Sequence, residues 1–168
     1  PAGDPYLKSD MADSVISSSE HRVEMVRLAL EHHGNPRFEL SDTETRREGP
    51  SYTLDTARLF AIENPQSEIV VILGMDTIFS MPRWKDPGTL LSEFRVAAIT
   101  RPGFDESKLL ALFVEGVASV IEVVVADTPD ISSSQIRKTL AVSKADMLPI
   151  DTLYPPVKRF IRDQDLYK

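Results

Sequence analysis

The chain has 168 residues, 42% of them apolar and 27% charged, the balance of one globular domain rather than of a disordered tail, a collagen-like repeat or a coiled coil. Its 19 basic side chains face 26 acidic ones, a net charge of -7, the wrong sign for binding nucleic acid along the backbone. It contains no cysteine, which excludes disulfides, thiolate metal sites and cysteine nucleophiles. No apolar run approaches the ~18 residues of a membrane span, and no signal-peptide pattern is visible after Pro1.

Short β-branched runs alternate with stretches of helical period, the pattern of parallel α/β architecture. The first helix is expected over Ser18–His33, with Ser17 and Glu20 as a capping box, Val23, Val26 and Leu30 on one face, and Gly34 as the stop. Phe38–Ser41 reads as a short strand. Thr53–Glu63 repeats the helical period with Leu54, Ala57 and Ala61 on one side, and Asn64-Pro65 ends it. Glu68–Leu73 is a near-continuous apolar run, as in a strand covered on both faces. Asp86 and Pro87 read as the N-cap and first-turn proline of a helix through Glu93. A strand over Arg95–Thr100, a helix over Glu106–Glu115, a strand over Val120–Val125 and a helix over Ser133–Ala141 follow. The last helix runs from about Pro155 to Arg162, with Val157, Phe160 and Ile161 facing inward. No repeat, low-complexity tract or linker divides residues 1–168, which read as a single domain ending in the helical part 131–168.

Several segments carry candidate chemistry. In Ile131-Ser132-Ser133-Ser134-Gln135-Ile136-Arg137 three hydroxyls stand at a helix start, where free N–H groups and the positive dipole end favour an anion. Arg137 adds charge-assisted bonds suited to phosphate, and the alternative is a plain serine cap before a solvated arginine. Gly74-Met75-Asp76 follows a strand directly, at the sheet end where ligands gather in open parallel sheets. Its alternative is a plain strand-to-helix turn. Gly49-Pro50-Ser51-Tyr52-Thr53 leads into a helix N-terminus able to hold a carboxylate, or is turn chemistry with a threonine cap. Trp84, the one tryptophan, lies in the polar stretch Pro82-Arg83-Trp84-Lys85-Asp86 and either stacks on a ligand ring or closes the core edge. Arg101 follows a strand, and Lys8 sits in a loop within reach of phosphate or of solvent. His32 and His33 suit a helix C-terminus, and His21 joins them in no metal-ligand spacing. No phosphate-binding P-loop, G-x-G-x-x-G or G-x-S-x-G motif occurs.

Taken in order, P-A-G-x-P-x-x-K at Pro1–Lys8, G-P-S-Y-T-x-D-T at Gly49–Thr56, G-x-D at Gly74–Asp76, Trp84, R-P-G at Arg101–Gly103, I-S-S-S-x-I-R at Ile131–Arg137 and Leu166-Tyr167 span nearly the whole chain. The set resembles bacterial nicotinate-nucleotide adenylyltransferases, of the nucleotidyltransferase superfamily. The resemblance implies an α/β, Rossmann-like doubly wound parallel sheet and adenylyl transfer from ATP to nicotinate mononucleotide, giving deamido-NAD and pyrophosphate. It also implies that Ser133, Ser134 and Arg137 hold ATP phosphates and that Gly74 and Asp76 contact the adenosine half. Ser51, Tyr52 and Thr53 then receive the nicotinate carboxylate and Trp84 stacks on the pyridine ring. Lys8 and Arg101 contact phosphate or the mononucleotide, with Lys8 and Arg137 as the catalytic pair. By analogy with other phosphoryl transfers, Mg²⁺ is expected to bridge the ATP oxygens rather than sit in a protein cage, and a cytoplasmic location is expected. Sister activities on nicotinamide mononucleotide or phosphopantetheine, and a noncatalytic nucleotide-binding fragment, are the alternatives.

Three departures from the family pattern stand out. Ser134 replaces a common threonine and keeps the hydroxyl. Pro5-Tyr6-Leu7-Lys8 replaces the commoner P-P-H-K. The family's G-G-T-F-D-P-x-H-x-G-H is absent, and Pro-Ala-Gly falls where its second strand ends. The first two strands of the fold are therefore expected to be missing, roughly 40 residues by the size of a βαβ unit. The 168-residue chain alone is expected to fold poorly and to be inactive.

Overall fold

A computed structural model describes residues 1–3, 17–100, 121–126, 131–142 and 153–167. In chain order its elements are α1 (Ser19–His33), α2 (Thr43–Arg46), α3 (Thr53–Glu63), β1 (Val70–Gly74), α4 (Met75–Ser80), a 3₁₀ turn (Met81–Arg83), α5 (Pro87–Glu93), β2 (Arg95–Thr100), β3 (Ile121–Val125), α6 (Ser133–Val142) and α7 (Pro155–Asp163). They form two units, Tyr52–Pro129 and Pro1–Ser51 with Asp130–Lys168, and each has its own apolar cluster.

The first of these units is built on a parallel sheet of order β1-β2-β3. Leu73 lies opposite Ala98, and Ala98 opposite Val123. Alternation along the strands puts Val71, Leu73, Val96, Ala98, Ile121 and Val123 on one face. That face packs with Leu54 and Ala57 of α3, Ile78 of α4, Met81, and Leu90 and Leu91 of α5. Ile78, Met81, Leu90 and Val96 are fully enclosed. The opposite face is different. Ile72 is 68% exposed, with Val70 and Val124 each 37% exposed, and Arg95 bridges Glu68 at 3.3 Å and Glu122 at 2.7 Å.

The expectation that Glu68–Leu73 is covered on both faces is therefore corrected: the described helices of this unit pack on the Val71 and Leu73 side. The connection from β1 to the adjacent parallel strand β2 runs through α4 and α5, which pack on that one face. The α/β class with a parallel sheet stands. α5 begins as expected at Pro87, but Asp86 caps it without a side-chain bond, in a left-handed conformation (φ 50°).

In the other unit, α1 packs on α7. Leu140, Val157 and Ile161 form the buried centre, with Met25, Leu28, Ala29 and Ile136 around them. The N-cap of α1 is Ser18, whose hydroxyl accepts from the His21 amide at 3.2 Å. The Ser17–Glu20 box does not form, because the Ser17 hydroxyl is spent on Tyr167 Oη at 2.8 Å. Gly34 ends the helix as expected, at φ 70° with its N–H on Leu30 O at 2.9 Å. The chain end Leu166-Tyr167 packs against this core.

Phe38–Ser41 is not a strand: it joins no ladder, and Phe38 is 55% exposed with its ring 5.4 Å from that of His33. An extended run becomes a strand only when a neighbour takes its backbone groups. The helices α2 and α4 went unread in the sequence, since 4 and 6 residues are too few to display a period. The expected helix Glu106–Glu115 and residue Val120 lie outside the described residues. No helix among those described is long and apolar enough to cross a membrane.

Candidate functional site

The start of α6 separates structural hydroxyls from available ones. Ser132 Oγ accepts from the Gln135 amide at 3.1 Å, and Gln135 Oε1 accepts from the Ser132 amide at 3.1 Å. This reciprocal capping box secures the helix without Ser133 or Ser134. Both of those residues are exposed, and their backbone N–H groups meet no acceptor among the described residues. Arg137, one turn on, lies 3.4 Å from Ser134 Oγ through Nη2 and is half-buried. Two N–H groups, two hydroxyls and a guanidinium thus share one helix end, the donor set that a phosphate group requires. Ser133 and Arg137 also line a cavity of about 730 Å³ walled by Met25, Ala29, Ile136 and Val157.

In the sheet unit, Gly74 ends β1 and caps α4. Its φ is -70° and a Cβ added there would meet nothing within 4 Å. Neither strain nor packing among the described residues calls for glycine, and its bare backbone leaves room for close approach by a ligand. Asp76, at the second position of α4, is exposed.

α3 starts after Tyr52 with no side-chain cap. The Lys85 ammonium lies 4.4 Å from the centre of the Tyr52 ring and 3.7 Å from Asp55. A helix N-terminus with a lysine beside it suits a carboxylate. Lys85 was missed in the sequence, although its place next to Trp84 in a polar stretch was visible. Trp84 itself is half-buried against the core cluster, and its Nε1 donates to Ser80 Oγ at 3.1 Å.

Ser51 belongs to the other unit. It is buried, and its hydroxyl accepts from the Gly3 amide at 3.0 Å and donates to Glu44 O at 3.4 Å. Lys8 and Arg101 lie outside the described residues. Among those described, no three His, Asp or Glu side chains converge as a metal site. His33 instead meets Tyr154, Nδ1 to Oη at 3.3 Å, and His21 meets Phe160 edge to face.

Residues 5–139 match the model of the cytidylyltransferase-like family. The chain belongs to the cytidylyltransferase-like family. Among members of this family it is 34% identical to the nicotinate-nucleotide adenylyltransferase of Bacillus subtilis, over 90% of this chain and 73% of that one. It is 35% identical to the "Probable nicotinate-nucleotide adenylyltransferase" of Symbiobacterium thermophilum, over 90% of this chain and 72% of the relative. The solved structure of the Plasmodium falciparum nicotinic acid mononucleotide adenylyltransferase complexed with NaAD aligns with a TM-score of 0.67, at 20% identity, over 93% of this chain and 77% of that one. This likeness carries the fold. Along this cytidylyltransferase-like chain, the matched span takes in Ser51, Tyr52, Thr53, Gly74, Asp76, Trp84, Ser133, Ser134 and Arg137.

Proposed function

We propose that this chain transfers the adenylyl group of ATP to nicotinate mononucleotide, giving deamido-NAD and pyrophosphate, a step of NAD biosynthesis. The observation that carries the reading is the start of α6, where the Ser132–Gln135 box secures the helix and leaves Ser133 and Ser134 exposed, with Arg137 beside Ser134, as donors for phosphate. The names of the curated relatives support the choice of acceptor.

In the reaction a phosphate oxygen of the mononucleotide attacks the α-phosphorus of ATP in line. The bond from that phosphorus to the bridging oxygen of the β-phosphate breaks, and its electron pair leaves with pyrophosphate. No covalent enzyme intermediate is needed, so catalysis is positioning and stabilisation of charge. A Mg²⁺ ion carried on ATP would add neutralisation of phosphate charge beside the donors of Ser133, Ser134 and Arg137.

Ser133 and Ser134 donate to ATP phosphates, and the Arg137 guanidinium stabilises charge growing on the departing pyrophosphate. Gly74 and Asp76 serve the adenosine half, the carboxylate accepting from sugar hydroxyls. The start of α3 at Tyr52 and Thr53, with Lys85 near the Tyr52 ring, receives the nicotinate carboxylate. Trp84 offers the pyridine ring an aromatic face, and Lys8 and Arg101 contact phosphate. The cytoplasm, where ATP is made available, is the compartment that goes with this reading.

The test is pyrophosphate release by the intact enzyme with nicotinate mononucleotide, nicotinamide mononucleotide and phosphopantetheine as acceptors. The reading expects the highest kcat/KM with nicotinate mononucleotide. Preference for either other acceptor, or tight nucleotide binding with no turnover of any, would sink it.

A further inference from the structure

We infer that Arg22 is a positioning residue for the mononucleotide end of the site, acting through Gly3 and Ser51. The inference rests on the assignment of Tyr52 and Thr53 to that substrate.

Arg22 lies in the first turns of α1, yet its guanidinium is spent on backbone carbonyls elsewhere in the chain. It donates to Gly3 O at 2.9 Å, to Ala2 O, and through Nε to Ser17 O at 3.2 Å. The three carbonyls are reached from Nε, Nη1 and Nη2, separate atoms of a planar fork, whereas the three donors of a lysine ammonium all sit on one nitrogen. The clasp fixes Gly3, whose N–H then donates to Ser51 Oγ, whose hydroxyl donates in turn to Glu44 O.

One line of hydrogen bonds therefore runs from α1 to the residue preceding Tyr52. Position 3 admits no side chain, because an added Cβ falls onto the Glu44 carbonyl. The Ser51 hydroxyl already accepts and donates within the chain and is buried. Its part is to hold the entry to α3, and the substrate carboxylate is left to the residues after it. Recognition of a carboxylate by helix N–H groups depends on their being held in place, so loosening the clasp weakens mononucleotide binding more than ATP binding.

The experiment compares Arg22→Lys, Arg22→Ala, Ser51→Ala and Ser51→Thr in the intact enzyme. It reads KM for each substrate and amide hydrogen exchange across residues 44–51. Expected for both Arg22 variants and for Ser51→Ala is a rise of about tenfold in KM for nicotinate mononucleotide, with KM for ATP within about twofold. Exchange across 44–51 quickens in the same variants, low millimolar guanidinium restores part of the loss in Arg22→Ala, and Ser51→Thr stays near wild type. Equal rises in both KM values, or unchanged kinetics, overturn the inference. Ser51→Ala removes one hydroxyl and keeps the test open if an Arg22 variant fails to fold. If wild type turns over no nicotinate mononucleotide, the acceptor assignment fails separately, and the clasp is then judged by exchange alone: unchanged protection of 44–51 in Arg22→Ala or Ser51→Ala overturns it.

Discussion

Replacing Gly3 by alanine puts a Cβ against the Glu44 carbonyl oxygen and 3.2 Å from both Glu44 C and Thr45 Cα. These are backbone atoms of α2, where the Thr45 and Arg46 amides bond to Asp42 O at 2.9 and 3.1 Å, so no side-chain rotation relieves the overlap. The first three residues must lift away. They then lose the bond from Gly3 N to Ser51 Oγ and the two from Arg22 to the carbonyls of Ala2 and Gly3. A neutral bond contributes about 1 kcal/mol and each charged-donor bond about 1.5–3 kcal/mol, a ceiling of about 4–7 kcal/mol. The segment is only half-buried, so water replaces much of what is lost, and each freed residue regains about 1–2 kcal/mol of conformational entropy. We expect a net cost of about 1–2 kcal/mol. For a chain of 168 residues that lowers the melting midpoint by about 2–8 °C. Thermal unfolding followed by far-ultraviolet circular dichroism reads this directly. Gly88→Ala is the control: a Cβ there meets nothing within 4 Å, and the residue sits in α5, so stability should hold or rise by up to about 1 kcal/mol. A Gly3→Ala midpoint within about one degree of wild type, or equal losses in the two variants, refutes the reasoning.

Three further outcomes are expected. Arg137→Ala should lower kcat by about 10²–10³-fold, as loss of a preorganised donor to the transition state does. Gln135→Ala, which breaks only the capping box, should cost about 1 kcal/mol in urea unfolding and leave kcat unchanged; equal kinetic effects in these two variants would remove the distinction between capping and binding groups. Trp84→Ala should raise KM for the mononucleotide more than KM for ATP, and steady-state kinetics showing the reverse order would take the ring out of that subsite. Hydrogen bonds from Arg58 and Arg27 hold the Glu93 and Glu24 carboxyls below the ordinary glutamate range. A depressed acid stabilises the fold while ionised, so this contribution is present above about pH 4.3 and is lost as pH falls through the lower folded values. Glu93→Gln should therefore flatten part of the acid limb of a stability–pH curve, by a small amount because the pair is exposed; an unchanged limb in the variant counts against the pair.

What the sequence determined by itself was whatever is written locally. The helical period and Gly34 marked α1, the Asp86-Pro87 pair marked the start of α5, and the β-branched runs marked β1, β2 and β3, because 3.6-residue and two-residue periods and turn chemistry act between near neighbours. The ordered motifs likewise marked the start of α6 and the loop before α3 as candidate places for chemistry. Tertiary structure decided who spends which group. It gave the Ser17 hydroxyl to Tyr167, whereas the caps of α1 and α6 are local, Ser18 taking the His21 amide and Ser132 pairing with Gln135. It enclosed the Ser51 hydroxyl between Gly3 and Glu44, brought Lys85 over Tyr52, and buried one face of β1 while leaving Ile72 on the other. A hydroxyl reads the same in sequence whether it caps a helix, holds a loop or waits for a ligand. Its hydrogen-bonding capacity is finite, and for Ser17 and Ser51 the partners that take it lie in distant parts of the chain.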